Sequence, residues 1–283
     1  MIGECRAARP AARSSAEHEH ERQAPMSETV TRTDADGVAT ITLLRGGLSS
    51  AMRRELLAVV RDVAADESVR AVLLTGTGRA FCVGQDLAEH VESLRGNAAT
   101  SLSVVEDEYN PLVLALAGLR VPVVVGINGA CAGAGLGMAL AGDLRVAAAG
   151  AKFTTAFTGI GLSSDSALAA RLMHSVGASR ATQLLLLPEP FVAETAEQWG
   201  LVHRVVPAED VLSEATALAQ RLASGPTAAY RAVKTVLASA ATDSLEDTLA
   251  LEARLQTRLG QTADHLEAVE AFLAKRAPEF TGR

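Results

Sequence analysis

Twice in this chain an apolar run of strand length ends in a cluster of glycines and other small residues, and this repeat constrains the fold more than any other feature. The first run is Val69–Leu74, apolar but for Arg70, followed by Thr75-Gly76-Thr77-Gly78; the second is Val121–Ile127, followed by Asn128-Gly129. Strands without polar alternation must be covered on both faces, as in a parallel or mixed sheet with helices packed against it. Helical spacing precedes and separates them: Met52, Leu56, Val59, Val60 and Val63 share one side of Ser49–Ala65, and Ser101–Leu119 reads as another helix. Val30–Leu43 is short and β-branched and is broken by Asp36-Gly37, a hairpin signal. Further strands are expected at Leu144–Ala149, Lys152–Phe157 and Val202–Val206, and after Pro207 nearly everything to Arg283 reads as helix. The layout predicted is an α/β core over residues 26–222 and a helical C-terminal region over 223–283.

Composition narrows the function. Of 283 residues, 48% are hydrophobic, enough for a sizeable core, and the net charge of −7 offers no basic field for nucleic acid or an anionic membrane. An anionic ligand would have to be held by local cations and backbone N–H groups. The longest apolar stretch is bracketed by Arg120 and Asp143 and interrupted by glycines, so no membrane span is expected. Cys5, Cys82 and Cys131 are odd in number and lack metal-ligand spacing, which points to a reduced, cytoplasmic protein without a metal site. Residues 1–25 show no apolar periodicity and no signal-peptide core, and Glu4, Glu17, Glu19 and Glu21 argue against a transit peptide. They read as a disordered extension before a second start at Met26, where His18-Glu19-His20 has no fixed geometry for a metal.

The two junctions carry the chemistry. The first reads Arg79-Ala80-Phe81-Cys82-Val83-Gly84-Gln85-Asp86-Leu87, and the second Asn128-Gly129-Ala130-Cys131-Ala132-Gly133-Ala134-Gly135-Leu136-Gly137-Met138-Ala139. Small residues admit a ligand close to the backbone, and the second junction opens into an apolar helix whose free N–H groups favour negative charge. Two such donors on one oxygen form an oxyanion hole. A single glycine cluster is equally a tight turn. A dinucleotide site is excluded, because Gly137 is one position early for G-x-G-x-x-G and no acidic residue ends a following strand. No Gly-Lys-Ser/Thr occurs, so a phosphate loop is excluded too.

Together the junctions resemble the crotonase (enoyl-CoA hydratase/isomerase) superfamily, as do Ala196–Val202 and the closing Phe272–Arg283; the resemblance covers roughly residues 27–283. Gly84-Gln85-Asp86-Leu87, Tyr109-Asn110-Pro111-Leu112 and Ile160–Asp165 are most similar to its ring-epoxide isomerases. The resemblance implies a spiral of strand–strand–helix turns, assembled by its helical tail into a homotrimer or dimer of trimers. It implies an acyl-CoA substrate, coenzyme A entering as part of that substrate rather than as a separate cofactor. Gln85 and Ala134 would be the oxyanion donors, and Asp165 the base that some isomerases use. Ala80, Cys82, Val83, Gln85 and Leu87 would receive the coenzyme A portion, with Phe272 and Lys275 from a neighbouring subunit.

The departures matter equally. The two glutamates with which hydratases activate water fall at Gly137 and Phe157, neither of which can move a proton. Isomerisation of a double bond or ring epoxide is therefore expected over hydration, with an inert acyl-CoA-binding protein as the reading from another class. Asp165 could instead only cap a helix over Ser166–His174. His90 could line the acyl pocket, but a lone histidine after a loop is more often surface; the cysteines read as fillers of apolar space, and Glu106-Asp107-Glu108 as a solvated helix face. Ser163, Ser164 and Ser166 raise a hydrolase question, but only His174 is near and no G-x-S-x-G elbow is present.

Overall fold

Asp36 and Gly37 both take positive φ, 51° and 75°, the two-residue hairpin turn that matches the twist of its strands. They join β1 (Val30–Ala35) to β2 (Val38–Leu43), with Ala35 opposite Val38. The computed structural model describes residues 29–283, so the expected disordered segment 1–25 lies outside the described residues. The Ser49 hydroxyl accepts from the Met52 N–H and starts α1 (Ser50–Ala65), which buries Met52, Leu56, Val60 and Val63 as their spacing requires.

Three successive units then repeat strand, strand, helix. The first is β3 (Ala71–Gly76), β4 (Ala80–Cys82) and α2 (Leu87–Asn97). After it, a single π-helical turn, Val105–Tyr109, leads into α3 (Asn110–Ala117), so the helix expected over Ser101–Leu119 is two pieces of different pitch. The second unit is β5 (Val123–Ile127), β6 (Ala130–Ala132) and α4 (Ala134–Ala141), and the third is β7 (Leu144–Ala148), β8 (Lys152–Thr154) and α5 (Leu168–Leu186). A short β9 (Phe191–Val192), α6 (Ala193–Gln198) and β10 (Arg204–Val206) close the series.

The first strand of each unit joins a six-stranded sheet, β1-β2-β3-β5-β7-β10, parallel throughout except for the β1 edge. The second strands form another sheet, β4-β6-β8-β9. This is the expected α/β spiral. The large sheet is buried on both faces, which explains the absence of alternation in its strands. Ala71 and Leu73 of β3 pack with Val124 and Val146 beneath α7 (Val211–Ala223), while Val72 and Leu74 face the larger core with Leu56, Val125 and Met138. Arg70, the one polar interruption of that run, lies just before β3; its guanidinium donates to Gly225 O at 2.6 Å and Phe280 O at 3.2 Å.

The last helices are α8 (Thr227–Ala240), α9 (Leu245–Leu259) and α10 (Ala263–Leu273). Lys234 ties α8 to the sheet through Asp143 at 2.6 Å. These helices leave Leu237, Leu245, Leu249, Leu266 and Phe272 exposed. Among the described residues, no helix is long and apolar enough to cross a membrane.

Candidate active site

The strands of the smaller sheet bring the two junctions together. β4 and β6 run parallel, with Ala80 opposite Ala130 and Cys82 opposite Cys131. The Asn128 amide stitches their turns, donating to Gly78 O at 3.0 Å and to Ala80 O at 3.2 Å. Just past each strand stands a glycine of positive φ, Gly84 at 87° and Gly133 at 52°, a conformation that costs other residues strain. A β-carbon built on Gly84 would lie 3.5 Å from the Ala134 nitrogen, so the two turns touch.

Each glycine is followed by an unused donor. Leu48 pairs with Gln85 as an isolated parallel bridge: Leu48 N–H donates to Gly84 O at 2.8 Å, and Asp86 N–H donates to Leu48 O at 3.2 Å. Because alternate backbone groups leave a strand on opposite edges, the Gln85 N–H points away from Leu48. Ala134 is the first residue of α4, whose N–H has no intrahelical acceptor. Among the described residues neither N–H donates to a protein acceptor. Two backbone donors on touching turns, one with a helix dipole behind it, suit an oxygen that gains negative charge.

The positions that the resemblance pairs with the hydratase glutamates, Gly137 and Phe157, are closely packed. A β-carbon on Gly137 would lie 2.6 Å from Ser166 O and 2.8 Å from Ser166 Cβ, so the loop carrying Asp165 occupies that space. Phe157 turns its ring against the same junction, 3.7 Å from where a Gly133 β-carbon would stand. It is hydrocarbon where a carboxylate would hold water.

Asp165 is half-buried, and its carboxylate accepts from the Ser166 hydroxyl at 2.7 Å. Burial pushes its pKa above the ordinary aspartate value, with the Ser166 hydrogen bond acting more weakly the other way. It caps no helix. Ser166 and Ala167 both take positive φ, 52° and 58°, so α5 begins two residues later than Ser166 and without a side-chain cap. The expectation of a helix capped by Asp165 is thereby corrected, since left-handed residues cannot continue a right-handed helix. Left-handed non-glycine residues cost about 1–2 kcal/mol each and persist where the surroundings dictate them.

Buried Tyr109 stands near enough to Asp165 and Cys82 for both to bear on its phenol, whose pKa burial chiefly raises and Arg53 lowers. The Cys82 thiol is fully buried and pushed up to about 12 by desolvation, which keeps it neutral and unreactive. Cys131 is buried beside it, and both thiols fill apolar space as expected. Ala80 is half-buried in β4, while Val83 and Leu87 are exposed around Gln85, Leu87 by 71%. Phe272 and Lys275, at the end of α10, are tied by no hydrogen bond to this region within one chain, among the described residues. The structure thus joins Gln85, Ala134, Ala80, Cys82 and Val83 in one place.

Some site neighbours were not expected. His90 is half-buried on α2 rather than at the surface, its Nδ1 shielded without a partner among the described residues. Glu108 does not belong to a solvated face: it sits on the π-turn and pairs with Arg53 at 2.6 Å. Arg53 itself, next to Met52 on α1, is buried, and a helical pattern reads an arginine there as exposed. The serine question closes on geometry, since Ser166 bonds to Asp165 and His174 is exposed on α5.

A family profile described as enoyl-CoA hydratase/isomerase matches residues 33–283. A probable enoyl-CoA hydratase of Rhodobacter capsulatus is 44% identical over 256 residues, covering 88% of this chain and 96% of the relative. The 1,2-epoxyphenylacetyl-CoA isomerase of Escherichia coli K12 is 41% identical over 251 residues, covering 87% and 96%. A crystal structure of an enoyl-CoA hydratase/isomerase-type protein from Mycobacterium abscessus superposes with a TM-score of 0.88 at 50% identity, covering 90% of this chain and all of that one (100%).

Proposed function

Because the chain belongs to the enoyl-CoA hydratase/isomerase (crotonase) family, we propose that it isomerises an acyl-CoA thioester, moving a double bond or rearranging a ring epoxide, with Asp165 as the proton-transferring group. The thioester oxygen lies between the N–H groups of Gln85 and Ala134. The Asp165 carboxylate takes a proton from one carbon, the electron pair moves into the carbonyl as an enolate, and the proton returns at another carbon. Asp165 ends as it began, and no separate cofactor is consumed. Two backbone donors aimed at the oxygen stabilise the enolate throughout.

One observation carries this reading: the loop bearing half-buried Asp165 occupies the space above Gly137 where a hydratase glutamate would project, and Phe157 fills the other such position. Water addition needs an acid and a base around the water, and one carboxylate serves a proton shuttle better. The identity with the E. coli epoxide isomerase supports an aromatic ring-epoxide substrate and a role in phenylacetate breakdown.

A homotrimer or dimer of trimers, acting in the cytoplasm, belongs to the same proposal. An apolar cavity of about 640 Å³ between α8 and α9, lined by Val233, Leu237, Leu249 and Leu259, supports such an assembly. So does Phe272, 82% exposed at the end of α10, where a neighbouring chain's acyl-CoA would cover it together with Lys275.

Incubation with 2-enoyl-, 3-enoyl- and epoxyphenylacetyl-CoA, with products read by mass and absorbance, tests the reaction. Isomerisation leaves the mass unchanged. Products heavier by one water, formed as the main outcome, overturn the assignment.

A further inference from the structure

A guanidinium inside an apolar helix face is expensive, since burying an ion costs several kcal/mol and an apolar residue of similar volume often serves stability as well. Arg53 is only 3% exposed on the inner face of α1. Its charge is met on one side: Nε donates to Glu108 at 2.6 Å, and Glu108 also accepts from the Ser50 hydroxyl at 2.9 Å. Glu89 lies 3.9 Å from the guanidinium and accepts from the Ser50 N–H at 2.8 Å. The other edge of the guanidinium is turned to the site. Nη1 donates to Leu48 O at 2.5 Å, and the cation lies 5.0 Å from the centre of the Tyr109 ring.

Leu48 is the residue that holds Gln85 in register. Its N–H and C=O take the Gly84 carbonyl and the Asp86 N–H, and these two bonds leave the Gln85 N–H free and pointing across the groove. Leu48 O therefore serves two donors, and the charged one is the shorter and stronger. We infer that Arg53 is a positioning residue for the reaction: its buried guanidinium, anchored on Glu108 and stacked on Tyr109, fixes Leu48 and through it the direction of the Gln85 N–H. The inference rests on the reading of Gln85 as an oxyanion donor. It assigns specific work to an ion pair that would otherwise only join α1 to the π-turn before α3.

The direct readout is the thioester carbonyl stretch, measured by infrared difference spectroscopy on full-length protein bound to an acyl-CoA labelled with ¹³C at the carbonyl. Two donors on the oxygen lower that frequency. Arg53→Lys keeps the charge but lacks the planar fork that bonds Glu108 and Leu48 at once. It is expected to lose part of the frequency shift and to lower kcat by about tenfold, less than the 10²–10³ that deletion of an oxyanion donor costs. KM and the affinity for acetyl-CoA should change by less than about threefold, because the donor's bond strengthens chiefly as charge develops. If the lysine variant does not fold, Glu108→Gln loosens the same anchor and must reduce the shift in the same direction. A full shift with unchanged kcat in whichever variant folds overturns the role of Arg53. No shift in the wild type overturns the oxyanion site itself, which is a different result.

Discussion

The two halves of the proposed site are built by different means. The oxyanion half is main chain: two short parallel strands, stitched by Asn128, end in glycines that accept positive φ at little cost, and the donors follow from the fold. The base half is a side chain on a loop, held by left-handed Ser166 and Ala167 and pressed against Gly137. One half is cheap and follows from the architecture; the other carries backbone strain at Ser166 and Ala167. Chemistry on such a scaffold can therefore change at the base while the enolate-holding groups stay, and each prediction below strikes one half and asks whether the other survives.

The largest effect falls on the base. Asp165→Asn keeps the shape and the Ser166 contact but removes proton transfer, and isomerisation is expected to fall by about 10²–10⁴. Acetyl-CoA affinity, measured by calorimetry, should stay within about threefold, because the donors are untouched. A variant that isomerises at the wild-type rate sinks Asp165 as the base.

Gly137→Ala tests the seam between the halves. Alanine would normally stabilise a helix interior by about 0.5–1 kcal/mol. Here its β-carbon meets backbone at 2.6 Å, and overpacking of about 1–3 kcal/mol decides the sign. A lower denaturation midpoint, with activity falling because Asp165 is displaced, is the expected outcome; a more stable protein would mean that the loop yields freely.

The pH profile separates the halves without mutation. Burial raises the folded-state pKa of Asp165, so kcat should fall towards acid with a midpoint above that of an ordinary aspartate. The stability sign is opposite. A carboxyl with a raised folded pKa contributes stability that is fully present below its unfolded pKa and is lost as pH rises through the folded pKa. Asp165→Asn should therefore be no less stable than the wild type near neutral pH, by urea titration. An acid limb at the ordinary aspartate pKa would contradict the desolvated setting.

The smallest effect is Ala167→Gly. Relief of a left-handed alanine, about 1–2 kcal/mol, is offset by the extra entropy glycine loses, about 0.5–1 kcal/mol. A net gain of a few tenths to 1 kcal/mol in thermal or urea stability is expected, with activity lowered if the loop needs that strain to present Asp165. A clear loss of stability would show that the strain at Ala167 is not what the loop bears.

How much of this could be read beforehand depends on range. The hairpin at Asp36-Gly37, the buried face of α1 and the doubly covered strands follow from local turn chemistry and periodicity, and each stands where it was expected. Of the second sheet only β8 was expected; β4 and β6 were missed because strands of three residues, such as Ala80–Cys82, are too short for any period to show. The late start of α5 and the uncapped Asp165 escaped because positive φ at Ser166 and Ala167 belongs to no propensity of serine or alanine.

The sequence alone therefore determined the layered architecture, the two glycine turns and the residue types available for chemistry, since these rest on burial pattern and on contacts within a few residues. Only the tertiary structure decided that Gly84 meets Ala132 and Ala134, that Ser166 fills the space above Gly137, and that Arg53 turns inward to Leu48 and Glu108. Most of these contacts join residues tens of positions apart, and the short-range one, Arg53 to Leu48, is held from outside its segment by Glu108. They are set by how packed layers compete for the same volume, which no local pattern encodes.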